Sequence, residues 1–199
     1  MFLHTNIKKI QKEGISMKQL GTVRLETERL ILRRFVETDA EAMYNNWATD
    51  SQTTKFLSWE PHKSVEESKS IIDMWIKSYD EGAYNWVAEL KSTGEIIGNI
   101  SAVHVRDKHK LIELGYGYGS KYWGNGYASE ALRAVIEFLL NECEYELVEA
   151  RHIEGNPASG RVMQKAGMKY EATLRRRRLN GETGEIDDLL HYSITKDEL

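Results

Sequence analysis

The chain has 199 residues, 41% of them hydrophobic, and a formal net charge of −4, which is enough for one sizeable core and short for two. That balance supplies no bulk attraction to nucleic acid or to an anionic membrane, and no apolar stretch approaches the ~20 residues that span a bilayer. With Cys143 as the only cysteine and no signal-peptide-like opening segment, an intramolecular disulfide is excluded and the expectation is a reducing, cytoplasmic setting.

Residues 1–21 are polar without a sustained period and read as an N-terminal extension, with Met17 a candidate start; one domain is expected over 22–199. Arg29 to Val36 carries strand formers, and Asp39 is placed to cap a helix bearing Met43 and Trp47. A loop through Pro61 follows. Ser64 with Glu67 spells a capping box, and Ile72, Trp75, Ile76 and Tyr79 recur at helical spacing. Trp86, Ala88 and Leu90 alternate, Ser92-Thr93-Gly94 turns, and Ile96 to Val105 resumes, which predicts a β-hairpin; Leu111 to Tyr118 adds a third strand. Ala128, Leu132, Val135, Ile136, Leu139 and Leu140 form one stripe on a helix of about four turns. Leu147 to Ile153 is strand-like, Ser159 to Ala166 is a short helix closed by Gly167, and a last hairpin joins Lys169–Arg178 to Glu185–Ile194 around Asn180-Gly181. This alternation implies a mixed α/β sandwich. The terminal Lys196-Asp197-Glu198-Leu199 matches an endoplasmic-reticulum retention signal, and is expected to be incidental without an entry signal.

The chemistry concentrates where a strand runs through Gly124 and Gly126 into the helix of Ala128. Such a turn leaves main-chain N–H groups without intrahelical partners, converging on a spot that favours an anion. Glycine allows a phosphate to approach the backbone and supplies positive φ. A nucleotide P-loop would need Gly-Lys-Ser/Thr, which is absent. A dinucleotide fingerprint would want an acid at the end of the next strand, whereas Glu144 and Glu146 precede it. A featureless turn is the bland alternative.

Trp123-Gly124-Asn125-Gly126-Tyr127-Ala128 resembles the Arg/Gln-x-x-Gly-x-Gly/Ala coenzyme A loop of the GNAT acetyltransferases. Leu25-Glu26-Thr27-Glu28-Arg29-Leu30, Glu113-Leu114-Gly115-Tyr116, Tyr122 through Ala131, and Asn156-Pro157-Ala158-Ser159 followed by Gly167 agree in order, and resemble the ribosomal-protein N-terminal acetyltransferase branch over residues 22–195. The resemblance implies a mixed, mostly antiparallel sheet of six to seven strands flanked by about four helices. It also implies that the strand of Tyr116, Gly117 and Tyr118 splays from the strand after the glycine-loop helix. Acetyl-CoA would lie in the gap, its pyrophosphate on the loop from Trp123 through Ser129, its arm against main chain at Tyr116 to Tyr118. Asn156 would be a coenzyme contact, although an Asn before Pro157 is equally a helix cap.

Direct attack of an amine on a thioester calls for a base, an oxyanion donor and an acid. The family's usual acid, a tyrosine seven positions after the asparagine, is replaced by Met163. Ser159 matches the branch serine that orients or protonates the coenzyme sulfur, and is as naturally a structural residue of a first helical turn. Glu113 stands near the position from which other GNAT enzymes project a base; the alternatives are a solvated carboxylate or a water-mediated route. The branch's glutamate before the last hairpin turn is replaced by Arg175-Arg176-Arg177-Arg178, whose alternation should put Arg175 and Arg177 on one face and Arg176 and Arg178 on the other, a solvated strand being their commoner fate and an acidic substrate or coenzyme phosphate the alternative. His104, His109, His152 and His191 lack metal-ligand spacing, so no metal is expected. Trp47, Phe56, Trp59, Tyr84 and Trp86 are candidates for the acceptor side, core being their commoner fate. Cys143, among apolar residues, is expected to be a small buried side chain.

The reading is therefore acetyl transfer from acetyl-CoA to a primary amine, on a protein N-terminus or a small polyamine-like or drug-like acceptor, through a ternary complex. Transfer of another acyl group such as succinyl, and a non-catalytic acyl-CoA-sensing or RNA-docking module of the same fold, are the alternatives. Neither membrane nor nucleic acid is an expected partner, and a homodimer is left open.

Overall fold

The computed structural model describes residues 18–180 and 184–199. Met17, most of the N-terminal extension and Gly181 of the last turn lie outside the described residues. Eight strands form one sheet: β1 (Leu25–Glu26), β2 (Leu30–Arg33), β3 (Asn85–Leu90), β4 (Ile96–Arg106), β5 (Leu111–Tyr118), β6 (Leu147–Ile153), β7 (Lys169–Leu179) and β8 (Ile186–Thr195). Their spatial order is β1-β2-β3-β4-β5-β6-β8-β7, and every neighbouring pair is antiparallel except β5 with β6. The eighth strand, beyond the six to seven expected, is the two-residue β1, too short to have a period of its own.

Helices cover both faces of the first half of the sheet. Helix α1 (Ala40–Met43), which widens into a π turn over Tyr44–Ala48, and α3 (Val65–Ser78) enclose a core of Phe35, Met43, Trp47, Ile72 and Val87. On the opposite face, α4 (Tyr127–Asn141) buries Leu132, Val135, Ile136, Leu139 and Leu140 completely, against Leu30, Leu32, Trp86 and Ala88. Each such side chain contributes about 1.5–3 kcal/mol relative to exposure, so the stripe decides where α4 lies. Strand β3 is covered on both sides, which is why Val87 is buried between Trp86 and Ala88.

Local signals held unevenly. Ser64 Oγ accepts from the Glu67 N–H at 3.3 Å, as a capping box requires, but the Glu67 carboxylate takes the Lys63 N–H at 2.7 Å. Asp39 does not cap α1. Its buried carboxylate accepts two bonds from the Arg33 guanidinium at 2.8 and 3.0 Å and one from the Val36 N–H at 2.9 Å, a charge-assisted set that outcompetes one neutral cap. The presumed loop through Pro61 contains a further turn of helix, α2 (Ser51–Thr54), capped by Asp50, whose carboxylate takes the Gln52 N–H at 3.0 Å. Helix α5 (Pro157–Lys165) starts at Asn156, whose Oδ1 accepts from the Ser159 N–H at 3.3 Å. Cys143 is fully buried, and burial pushes its thiol up.

Candidate active site

Parallel pairing of β5 with β6 covers only Leu111 to Leu114 against Leu147 to Ala150. Beyond it β5 stays paired with β4 as far as Tyr118, so the edge of Gly115 to Tyr118 that faces β6 has no strand partner. A cavity of about 560 Å³ opens at this divergence. Of the residues singled out from the sequence, Glu113, Tyr116, Gly117, Tyr118, Trp123, Gly124, Gly126, Tyr127, Ala128, Ser129, Asn156 and Ser159 line it. Asn125 does not. Its Nδ2 donates to the Tyr122 and Trp123 carbonyls at 3.1 and 3.2 Å, bracing the turn from behind.

At the start of α4, the N–H of Glu130 reaches the Gly126 carbonyl at 3.0 Å, closing the first helical bond. The N–H groups of Gly124, Asn125, Gly126, Tyr127, Ala128 and Ser129 find no acceptor among the described residues. Gly124 and Gly126 have φ of 81° and 82°, the left-handed region that L side chains enter at a cost of order 1–2 kcal/mol. A Cβ at Gly126 would meet only Arg29 Nη2, at 3.5 Å. Arg29 is an unforeseen part of this corner. Its Nη1 donates to the Asn125 carbonyl at 2.9 Å, its Nε and main-chain N–H donate to Glu130 at 2.7 and 2.9 Å, and its guanidinium lies 4.6 Å from the Tyr127 ring centroid. The Glu130 carboxylate also accepts from Thr27 Oγ1 at 2.5 Å, and these bonds hold it below the usual carboxylate range against the opposing effect of its burial. Thr27 and Arg29 thus fasten the segment before β2 to the first turn of α4.

Across the cavity, Tyr116 Oη lies 2.8 Å from Ser159 Oγ and donates to the Ser159 carbonyl at 3.0 Å. Burial pushes both the Tyr116 and Tyr118 phenols up, leaving them protonated at neutral pH, and the buried Tyr118 hydroxyl has no partner among the described residues. His152 also lines the cavity; its Nδ1–H donates to the Ile153 carbonyl at 2.7 Å, its Nε2 has no partner among the described residues, and burial lowers its pKa. Among the described residues no three His, Cys, Asp or Glu side chains are grouped to hold a metal ion. Met163 is buried in the core.

Glu113 is 6% exposed and paired with Arg151 of β6, whose Nε donates at 2.8 Å and whose Nη2 donates to the second carboxylate oxygen. It shares the side of β5 that carries Gly117, where Leu57 comes closest to the position a Cβ would occupy. Arg178 of β7 reaches the same loop and donates to the Phe56 carbonyl at 2.8 Å and to the Leu57 carbonyl. The simple alternation expected of the four arginines fails. Leu174 faces Leu189 while Arg178 faces Asp187, so β7 advances four residues where β8 advances two, and Arg176 is left-handed with φ of 55°. The bulge turns successive residues Arg177 and Arg178 toward one cavity. Of the five aromatic candidates for the acceptor side, only Phe56 lines it; Trp47, Tyr84 and Trp86 are core, and Trp59 packs against His62.

The profile of the family described as "Acetyltransferase (GNAT) domain" matches residues 29–169. The chain belongs to the GNAT acetyltransferase family. A Bacillus subtilis relative, the uncharacterized N-acetyltransferase YoaA, is 32% identical over 173 residues, covering 86% of this chain and 96% of its own. The crystal structure of a GNAT-family acetyltransferase from Bacillus anthracis has a TM-score of 0.78 at 27% identity, covering 88% of this chain and 100% of that one. RimL, a ribosomal L7/L12 alpha-N-protein acetyltransferase solved with coenzyme A, shares the fold with a TM-score of 0.76 at 19% identity, covering 89% and 100%. The protein is accordingly a GNAT-fold acetyltransferase with acetyl-CoA as acyl donor, and no described helix is long and apolar enough to cross a membrane.

Proposed function

We propose that this GNAT protein transfers the acetyl group of acetyl-CoA to a primary amine, a protein N-terminus or a small molecule, by direct attack in a ternary complex in the cytoplasm, as in the ribosomal-protein N-terminal acetyltransferase branch. The observation that carries this reading is that one cavity is bounded both by the acceptor-free amides at the start of α4 and by the Tyr116 and Ser159 hydroxyl pair. The likeness to RimL is one of fold alone. The residues fit the coenzyme, because left-handed glycines leave room for a phosphate where a side chain would stand.

Bound acetyl-CoA supplies an activated acetyl thioester. The amides of Gly124 to Ser129 receive the pyrophosphate, Asn125 braces them, and the unpaired edge of Gly115 to Tyr118 offers main-chain groups to the pantetheine arm. Asn156 spends its Oδ1 on the α5 cap, leaving its amide N–H groups to donate. Ser159 Oγ–H, directed at Tyr116 Oη while the phenol donates to the Ser159 carbonyl, turns its proton to the departing sulfur, and Tyr116 redirects its own proton from the carbonyl to Ser159 Oγ, to be restored from solvent on product release. This hydroxyl pair takes the place of the acid missing at Met163. Glu113 receives the amine proton. Arg151 occupies two of its roughly four lone-pair directions and fixes its orientation, leaving the others for an incoming N–H.

Titration calorimetry combined with thiol release tests the reading. Acetyl-CoA binds in the micromolar range and free thiol appears with at least one member of a panel of amines and N-terminal peptides. Absence of binding at millimolar acetyl-CoA overturns it.

A further inference from the structure

Five cationic side chains line the cavity, Arg151, Arg161, Lys165, Arg177 and Arg178, against one carboxylate, Glu113. This local excess stands in a chain whose formal net charge is −4. Arg151 is neutralised by Glu113. Arg161 and Lys165 lie on α5 with Asn156 and Ser159, on the wall assigned to the coenzyme. Arg177 and Arg178 are different, since they reach the cavity from the last hairpin, on the side of Leu57 and Glu113.

Neither guanidinium is paired with an acid among the described residues. Arg178 is half-buried and held only by the Phe56 and Leu57 carbonyls, which align it and leave its full charge, with three of its five N–H donors uncommitted. Arg177 is exposed and without a partner among the described residues. Asp188 and Asp187 are near in the chain but bond elsewhere, Asp188 accepting the Arg176 main-chain N–H at 2.8 Å and Asp187 accepting from Asn180 Nδ2 at 3.1 Å, so neither forms an ion pair with Arg177 or Arg178. The left-handed Arg176 is the device that turns two adjacent arginines inward instead of to opposite faces. A half-buried cation without a counter-ion favours an anion delivered from outside.

We propose that the acceptor is a primary amine that also carries an anionic group, a carboxylate or a phosphate, received by Arg177 and Arg178 while the amine approaches Glu113. This deepens the acetyltransfer reading and rests on it. It selects against polyamines, whose second cation would face two uncompensated guanidinia.

The test measures kcat/KM for thiol release with acceptors matched except for charge: phosphoethanolamine against ethanolamine, an amino acid against its amide, and peptides whose second residue is Asp, Asn or Lys. Anionic members exceed their neutral partners by roughly ten-fold or more, the scale of one charge-assisted hydrogen bond. The small-molecule and peptide arms separate the two sources of the anion. Arg177→Glu, at an exposed position, removes the preference and raises turnover of the cationic acceptors, with acetyl-CoA affinity unchanged. Equal or higher kcat/KM for neutral and cationic acceptors overturns the inference while leaving acetyltransfer standing. Thiol release from no amine at all, with acetyl-CoA bound, overturns both.

Discussion

The two walls of the cavity present hydrogen-bond donors by different means. At the start of α4 the donors are main-chain amides, and what the sequence must supply is mainly the absence of side chains at Gly124 and Gly126. At the last hairpin the donors are guanidinium groups, aimed by a bulge and by two carbonyls of a distant loop. A backbone site depends most sharply on its glycines, whereas a side-chain site changes specificity with one substitution. On the proposed reading, the wall toward a constant coenzyme is built of backbone, and the wall toward a particular acceptor of side chains.

The contrast is broken most directly at Gly126. A valine there must enter φ of 82° and fill the open space beside Arg29, so Gly126→Val is expected to weaken acetyl-CoA binding by on the order of 100-fold while far-ultraviolet circular dichroism stays native. Calorimetric affinity within three-fold of wild type would put the pyrophosphate elsewhere. The Ser159 and Tyr116 hydroxyl pair comes next. Ser159→Ala and Tyr116→Phe each lower kcat by roughly 10- to 100-fold, the range for general acid catalysis, with the acetyl-CoA Kd nearly unchanged. Parallel losses in both quantities would reduce the pair to scaffolding.

Arg29→Ala sharpens the comparison from behind the backbone wall. It frees Glu130 and the Asn125 carbonyl, and is expected to weaken acetyl-CoA binding roughly three- to ten-fold, the scale of one ordinary net hydrogen bond, because Arg29 acts on the amides from behind. An unchanged affinity would make the Arg29 corner purely a fastening for α4. The smallest effect concerns His152. Burial lowers its folded-state pKa, so below the unfolded value of about 6.5 the unfolded chain binds the extra proton and stability falls as pH falls. His62, lowered in the same direction by burial, adds to the decline. Melting temperatures between pH 7.5 and 5.5 should drop, and drop less in His152→Gln.

Much of the scaffold was legible because its signals are local. The α4 stripe, the capping serine before α3, the β3–β4 hairpin and the Asn-Pro start of α5 each lie within one element, where periodicity and caps carry the information. Asp39 misled because its partner, Arg33, reaches it through a fold back of the chain that a capping pattern ignores. The arginine run misled because strand alternation holds only while register is kept, and a left-handed Arg176 is invisible in its residue type.

By itself, the sequence determined the order of the longer elements, the glycine turn before α4, and the ordered motifs of the GNAT fold, since all follow from short-range spacing. Tertiary structure alone decided that Arg29 grips Glu130, that Tyr116 meets Ser159, that Glu113 is held by Arg151, and that Arg178 crosses to the Phe56 and Leu57 carbonyls. These partners lie 101, 43, 38 and 122 residues apart. Strand pairing and the packing of α4, α5 and the α2 loop against the sheet bring them within bonding distance.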